Sequence, residues 1–162
     1  MNNMFKSWLK VIAGLEILGG IIGVIFVVVK VFTSDIYTIG FGALSIGVFC
    51  LSLIAGITLW KEHYFGKTLS IIVQLIQLPK ILSPNVIFFF SFGFDFYLIW
   101  TFIENFSHLG FNARFLEEHR LMVNVADAPF GIGISIMSCI FLILLLRIPS
   151  KKKSEIEAVD SH

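Results

Sequence analysis

Residues 86–106 read VIFFFSFGFDFYLIWTFIENF, and whether they form a helix or strands decides how often the chain crosses a bilayer. From Phe88 every even position is bulky and apolar (Phe88, Phe90, Phe92, Phe94, Phe96, Leu98, Trp100, Phe102), whereas the odd positions include Ser91, Gly93, Asp95 and Thr101. A repeat of two segregates side chains onto the two faces of a pleated strand. One unbroken strand of that length would run to roughly 50 Å, beyond what so small a protein usually holds. A bend is therefore expected at Gly93 to Asp95, where glycine reaches positive φ freely and Asp bonds its own backbone. The expected result is a hairpin of residues 86–92 against 95–105, with a third short strand over the alternating residues 121–125. Read instead as a helix, the stretch would place Asp95 near mid-membrane at a cost of about 2.5–3.5 kcal/mol. It would also make the number of spans odd and expel Lys151, Lys152 and Lys153 to the outside, against the bias of positive charge toward the cytoplasm.

Outward from this stretch lie four apolar runs, at about 8–31, 39–60, 68–83 and 130–148. Three approach or exceed the roughly 18–20 apolar residues that cross a ~30 Å hydrocarbon core, and the third is short. Pro79 and Pro84 set its outer end, since each lacks a backbone donor. The hydrophobic fraction of 57% and mean hydropathy of +0.90 exceed the roughly 45–50% apolar content of soluble domains. At 162 residues the chain has the length of one domain, and 1–162 is read as a single membrane domain. Lys6, Lys10, Lys61, Lys67, Arg147 and the three terminal lysines fall on one side of the spans, against Lys30, Lys80, Arg114 and Arg120 on the other, which places both termini in the cytoplasm. Trp8 and Trp60, beside Lys10 and Lys61, fit the aromatic belt of that interface. The fold expected is thus a membrane all-α protein with a small β-rich insertion. It is a four-helix transmembrane bundle with N and C termini cytoplasmic and an extracytoplasmic antiparallel β hairpin or sheet, at about 84–128, between helices 3 and 4. Residues 149–162 form a polar cytoplasmic tail.

Helices in lipid associate by close backbone approach, so small residues four apart mark contact faces. Gly19 and Gly23 do this in the first run, Gly47 and Gly56 (with Ala43 and Ser52) in the second, and Gly131, Ser135 and Cys139 in the fourth. Glu16 is the sharpest single residue, because an ionisable group inside a span turns toward the bundle and finds a partner. Its neighbours three, four and seven residues on are Gly19, Gly20 and Gly23, which puts it on the glycine face. Counted at ~1.5 Å per residue, Glu16 lies about 12 Å in from Trp8 and Gln74 about 10 Å in from Lys67. Glu16, Gln74 and Gln77 are therefore expected as a buried polar cluster, with a hydrogen bond from Gln74 to Glu16. Lys30 and Lys80, at outer ends of spans, are expected to snorkel to water.

These residues exclude more than they identify. The net charge of +1 carries no basic stripe, so nucleic acid is not an expected partner. Cys50 and Cys139 lie in apolar runs as small packing residues. Glu104, His108, Glu117, Glu118 and His119 include metal-ligand types without the spacing of a zinc motif, and no metal or cofactor is expected. No Walker, Rossmann, HExxH, GxSxG or CxxC pattern occurs, and no catalytic residue is assigned. The expected role is noncatalytic contact with the lipid bilayer, another membrane protein or a second copy. It would be made through the bundle and an extracytoplasmic recognition face of Phe90, Phe92, Phe94, Phe96 and Trp100, too large an apolar surface to leave in water. The alternatives are a small proton-coupled transporter or channel using Glu16, and an enzyme acting on lipid or an envelope precursor. The expected location is a cell membrane, with a bacterial inner membrane the natural setting.

Overall fold

A computed structural model describes residues 3–33, 37–91, 94–103, 106–115, 120–123 and 129–148. The chain begins with three helices, α1 (Asn3–Thr33), α2 (Tyr37–Trp60) and α3 (Tyr64–Gln77). All four prolines, at 79, 84, 129 and 149, follow them, so nothing in α1 to α3 removes an intrahelical donor. Two of the helices carry stretches long and apolar enough to cross a membrane, Lys6–Val29 and Ala43–Trp60. The turn from α2 to α3 is tight: Glu62 has φ 54°, the His63 N–H donates to the Thr58 carbonyl at 2.9 Å, and a Cβ on Gly66 would fall 2.5 Å from the Leu59 nitrogen.

Six strands follow: β1 (Pro79–Leu82), β2 (Val86–Phe89), β3 (Phe94–Ile103), β4 (Phe106–Phe115), β5 (Arg120–Val123) and β6 (Phe130–Ser135). They form one antiparallel sheet in the order β4-β3-β6-β1-β2-β5. The last helix, α4 (Ile136–Arg147), starts directly from β6. A four-residue turn, Ser83 to Val86, joins β1 to β2; the Ser83 N–H donates to the Val86 carbonyl at 3.0 Å, with Pro84 and Asn85 in the central positions those residues favour.

Three expectations change here. The third and fourth apolar runs are not continuous helices: α3 ends at Gln77 and hands over to β1, and residues 130–135 are strand before α4 begins. Pro79 has no N–H to extend α3, and the residues after it, Lys80 to Leu82, pair with β6 instead. Nor do residues 86–92 form a hairpin with 95–105. β2 pairs with β1 and β5, while β3 pairs with β4 and β6. The strand expected at 121–125 is present as β5, beside β2; residues 124 and 125 lie outside the described residues, as do the tail and the tip of the β3–β4 connection.

The core sits in two places. Leu9, Ile12 and Ala13 of α1 pack with Leu59 of α2 and with Phe141, Leu145 and Ile148, which brings the start of α1, the end of α2 and the end of α4 together. Further along, Val27, Phe49, Ala55 and Val73 form a second cluster across α1, α2 and α3. The Lys67 ammonium, on the first turn of α3, donates to the Ile148 carbonyl, so the basic ends of all four helices lie together.

Alternation is strict in β6 and along residues 95–100 of β3. In β6 Phe130, Ile132 and Ile134 point outward and Gly131, Gly133 and Ser135 inward; in β3 Asp95, Tyr97 and Ile99 are buried while Leu98, Trp100 and Phe102 are exposed. A Cβ on Gly133 would sit 2.5 Å from the Leu98 carbonyl oxygen, so the inward face of β6 accepts only glycine at that position.

Candidate functional site

Glu16 lies inside α1 with 2% of its surface exposed. Close approach of α2 brings it a first partner: a Cβ on Gly20 would lie 3.0 Å from the Phe49 carbonyl oxygen, and at this separation the Ser52 hydroxyl donates to the Glu16 carbonyl at 3.1 Å. From α3, the Ser70 hydroxyl donates to Glu16 Oε2 at 2.7 Å and Gln74 Nε2 donates to Oε1 at 3.0 Å. Ser70 and Gln74 are four residues apart and share one face of α3. Residue 16 thus ties three helices at one level. Gln77, one turn further along α3, is buried as well. Ser52 and Ser70 are partners that sequence reasoning did not find, although the four-residue spacing of Ser70 to Gln74 on one helical face is a signal that points to the latter serine.

A second buried cluster was not anticipated. Lys80 forms an ion pair with Asp95 at 2.8 Å, with side-chain exposures of 0% and 4%. Its ammonium also donates to the Phe90 carbonyl and, at 3.0 Å, to Ser91 Oγ. Asp95 in turn accepts from Ser91 at 2.7 Å and from Ser135 at 2.5 Å, and Ser135 Oγ accepts from the Ser138 N–H at 3.1 Å as the N-cap of α4. The expectation that Lys80 snorkels to water is therefore wrong; the side chain of Lys30 lies outside the described residues. The pleat decides the matter for Lys80: Pro79 and Ile81 point outward, so the residue between them must point in.

The third feature is the outer face of the sheet. Leu98 stands opposite Ile134, Trp100 opposite Ile132 and Phe102 opposite Phe130, with Phe111 and Leu109 continuing the rows on β4. Trp100 stacks on Phe102 at 5.3 Å and Phe96 on Phe111 at 5.8 Å. An apolar groove of about 430 Å³ runs across this face between Pro79, Leu98, Trp100 and Leu109.

The chain matches no family model, no curated protein and no solved structure. Its chemistry rests on the three features themselves.

Of the recognition face expected from the sequence, Trp100 is exposed and Phe96 half-buried, but Phe90 is 1% exposed. Beyond the end of β2 Phe90 turns inward, its ring 6.4 Å from that of Phe49 while its carbonyl takes Lys80. Phe92 and the side chain of Phe94 lie outside the described residues. Leu109, Phe111, Ile132 and Ile134, which make much of the exposed surface, were not assigned to it.

The small residues divide similarly. Gly19 is buried on the Glu16 face, a Cβ on Gly23 would overlap the Phe49 ring, and one on Gly56 would come within 2.8 Å of the Ala13 carbonyl oxygen. Gly47 packs nothing: it is exposed, and no atom lies within 4 Å of where its Cβ would stand. Gly131 and Ser135 are strand residues of β6: Gly131 makes room for Thr101 and Ser135 holds Asp95, so neither marks a helix contact. His108 is exposed on β4, and Glu104, Glu117, Glu118 and His119 lie outside the described residues.

Proposed function

We propose that this chain is a multi-pass membrane protein, four spans with both termini cytoplasmic, that acts without catalysis through contact of the outer sheet face with lipid or with another membrane protein. The observation that carries the reading is the continuous apolar face of β4, β3 and β6, on which Leu109 is 72%, Ile132 58% and Trp100 51% exposed. A soluble monomer rarely leaves so large an apolar patch to water.

Lengths support the four-span reading. The 24 residues of α2 extend about 36 Å. The 14 residues of α3 with the four of β1 reach about 34 Å, and the 12 of α4 with the six of β6 about 38 Å. Helix continued by strand therefore matches helix alone. Open sheet edges do not survive in hydrocarbon, and the edge strand β4 carries Ser107, His108 and Asn112, residues suited to headgroups or water. The ends of β1 and β6 next to the helices then lie within the outer leaflet and the rest of the sheet at the outer interface, its aromatic face against acyl chains or a partner.

Photo-crosslinking residues at positions 109 and 132, in native membranes, test this. Lipid or protein adducts are expected there and not at position 97 on the inner face. If cysteines at 109 and 132 instead react freely with a membrane-impermeant maleimide and no adduct forms, the surface is bare to water and the reading fails.

A further inference from the structure

Resting on the reading that the outer sheet face is covered in the membrane, we propose that its cover is a second copy of this chain, β3 and β6 of one copy packing face to face against β6 and β3 of the other. Among the described residues, eight large apolar side chains on the outer face of β3, β4 and β6 are 36–72% exposed. At roughly 150–250 Å² for a large side chain in full, they leave about 800 Å² open, the share that one partner brings to a standard protein interface. No charged side chain interrupts these rows among the described residues, the depletion that marks the core of an interface. Lipid accounts for part of this area only. Phe130 lies about 16 Å along β6 from Ser135, where α4 begins, and Phe102 stands beside it. Acyl chains cover the end of the face next to the helices, whereas polar headgroups meet the end that carries these two rings. A protein face covers both.

Orientation selects a second copy. β1 and β6 continue α3 and α4, so the sheet stands on end in the membrane, and a two-fold axis along the membrane normal brings the same face of another chain against it. Both copies then stay upright with their basic helix ends in the cytoplasm, and the contact closes on itself as an isologous dimer does. Antiparallel pairing of two β4 edges needs an axis within the membrane plane instead, which inverts one copy. With the axis passing between β3 and β6, residues at one height in the ladder face each other across the roughly 10 Å that separates stacked sheets: Trp100 meets the partner's Ile132, and Phe102 the partner's Phe130. β4 then faces β1, so that Phe111, 60% exposed, reaches the partner's Pro79 in the wall of the apolar groove of about 430 Å³. Knob and hollow thus lie on one face, placed to fill each other twice.

The test uses the full chain, in native membranes and then reconstituted in lipid nanodiscs. A photo-crosslinking residue at position 132 should trap a product of twice the 18.2 kDa chain, with the adduct mapping at or beside Trp100 of the second copy, and one at position 97 on the inner face should not. L109K/F111K, which charges the face and leaves the inner side intact, should keep its helical circular dichroism yet lower the crosslinked dimer at least tenfold. Native mass spectrometry of the wild-type chain should count two copies, a measurement that stands even where the variant does not fold. Adducts to lipid alone or to a different protein alone, a dimer trapped only from position 112 on the edge strand, or a dimer undiminished in folded L109K/F111K would each overturn the second copy while leaving the face covered. Free reaction of cysteines at 109 and 132 with a membrane-impermeant maleimide would remove the wider reading as well.

Discussion

Lys80 and Asp95 show at the scale of single residues how a charge is kept inside this fold. Each is surrounded by the other and by Ser91, with the Phe90 carbonyl closing the lysine side and Ser135 the aspartate side. Removing one partner strands the other in the interior, which costs about 3–5 kcal/mol, whereas replacing both by apolar residues of similar volume is often neutral. K80M should therefore destabilise by that amount, and K80M/D95L should recover most of it, as read by denaturant or thermal unfolding in detergent. A double variant as unstable as the single one would mean that the network, and not the ion pair, holds the sheet. The glycines give a contrast of sign. G23V forces a side chain into the Phe49 ring and should cost about 1–3 kcal/mol by overpacking. G47A meets nothing within 4 Å and should be neutral or raise stability by up to ~1 kcal/mol through helix propensity; a loss there would reveal a contact on the exposed side of α2.

Ser135 belongs to the scale of elements, because it joins β6 to α4. Its hydroxyl accepts from the Ser138 N–H and donates to Asp95 on β3, so the start of the helix and the neighbouring strand share one oxygen. S135A removes a cap worth about 0.5–2 kcal/mol and also a donor to a buried carboxylate. It should therefore lower stability beyond the cap alone, and faster amide exchange over residues 136–139 would locate the loss. Unchanged exchange there would show that β6 alone orients α4. The handover from α3 to β1 has the same character. Pro79 ends the ladder of helical donors, and β6, distant in sequence, reaches β1 through the pairing of Lys80 with Gly133 and its neighbours, which makes a strand the better continuation.

For the whole molecule the four helix ends that carry Lys6, Lys10, Lys61, Lys67 and Arg147 lie together, as the first core cluster and the Lys67 contact require. Positive flanks stay cytoplasmic. Reporter fusions at either terminus should accordingly read cytoplasmic, and a fusion at residue 109 external; a C-terminal reporter active outside would leave the four-span reading without support. Reversing Lys61 and Lys67 to Glu should weaken this orientation bias and produce a mixed topology in the same assay.

Apolar length and a period of two were legible in the chain itself. They located α1 and α2, marked Trp100 and its even-numbered neighbours as one face of β3, and set Glu16 and Gln74 at one height, because each of these depends on spacing along a single element. Only the tertiary structure decided which strands pair and where the third and fourth apolar runs change from helix to strand. It also decided that Lys80 is buried and Phe90 turned inward, and that Leu109, Phe111 and Ile132 complete the outer face. Those outcomes rest on pairing between residues far apart in sequence, and an apolar run packs as well in either secondary structure until a distant partner supplies the hydrogen bonds that one of them leaves open.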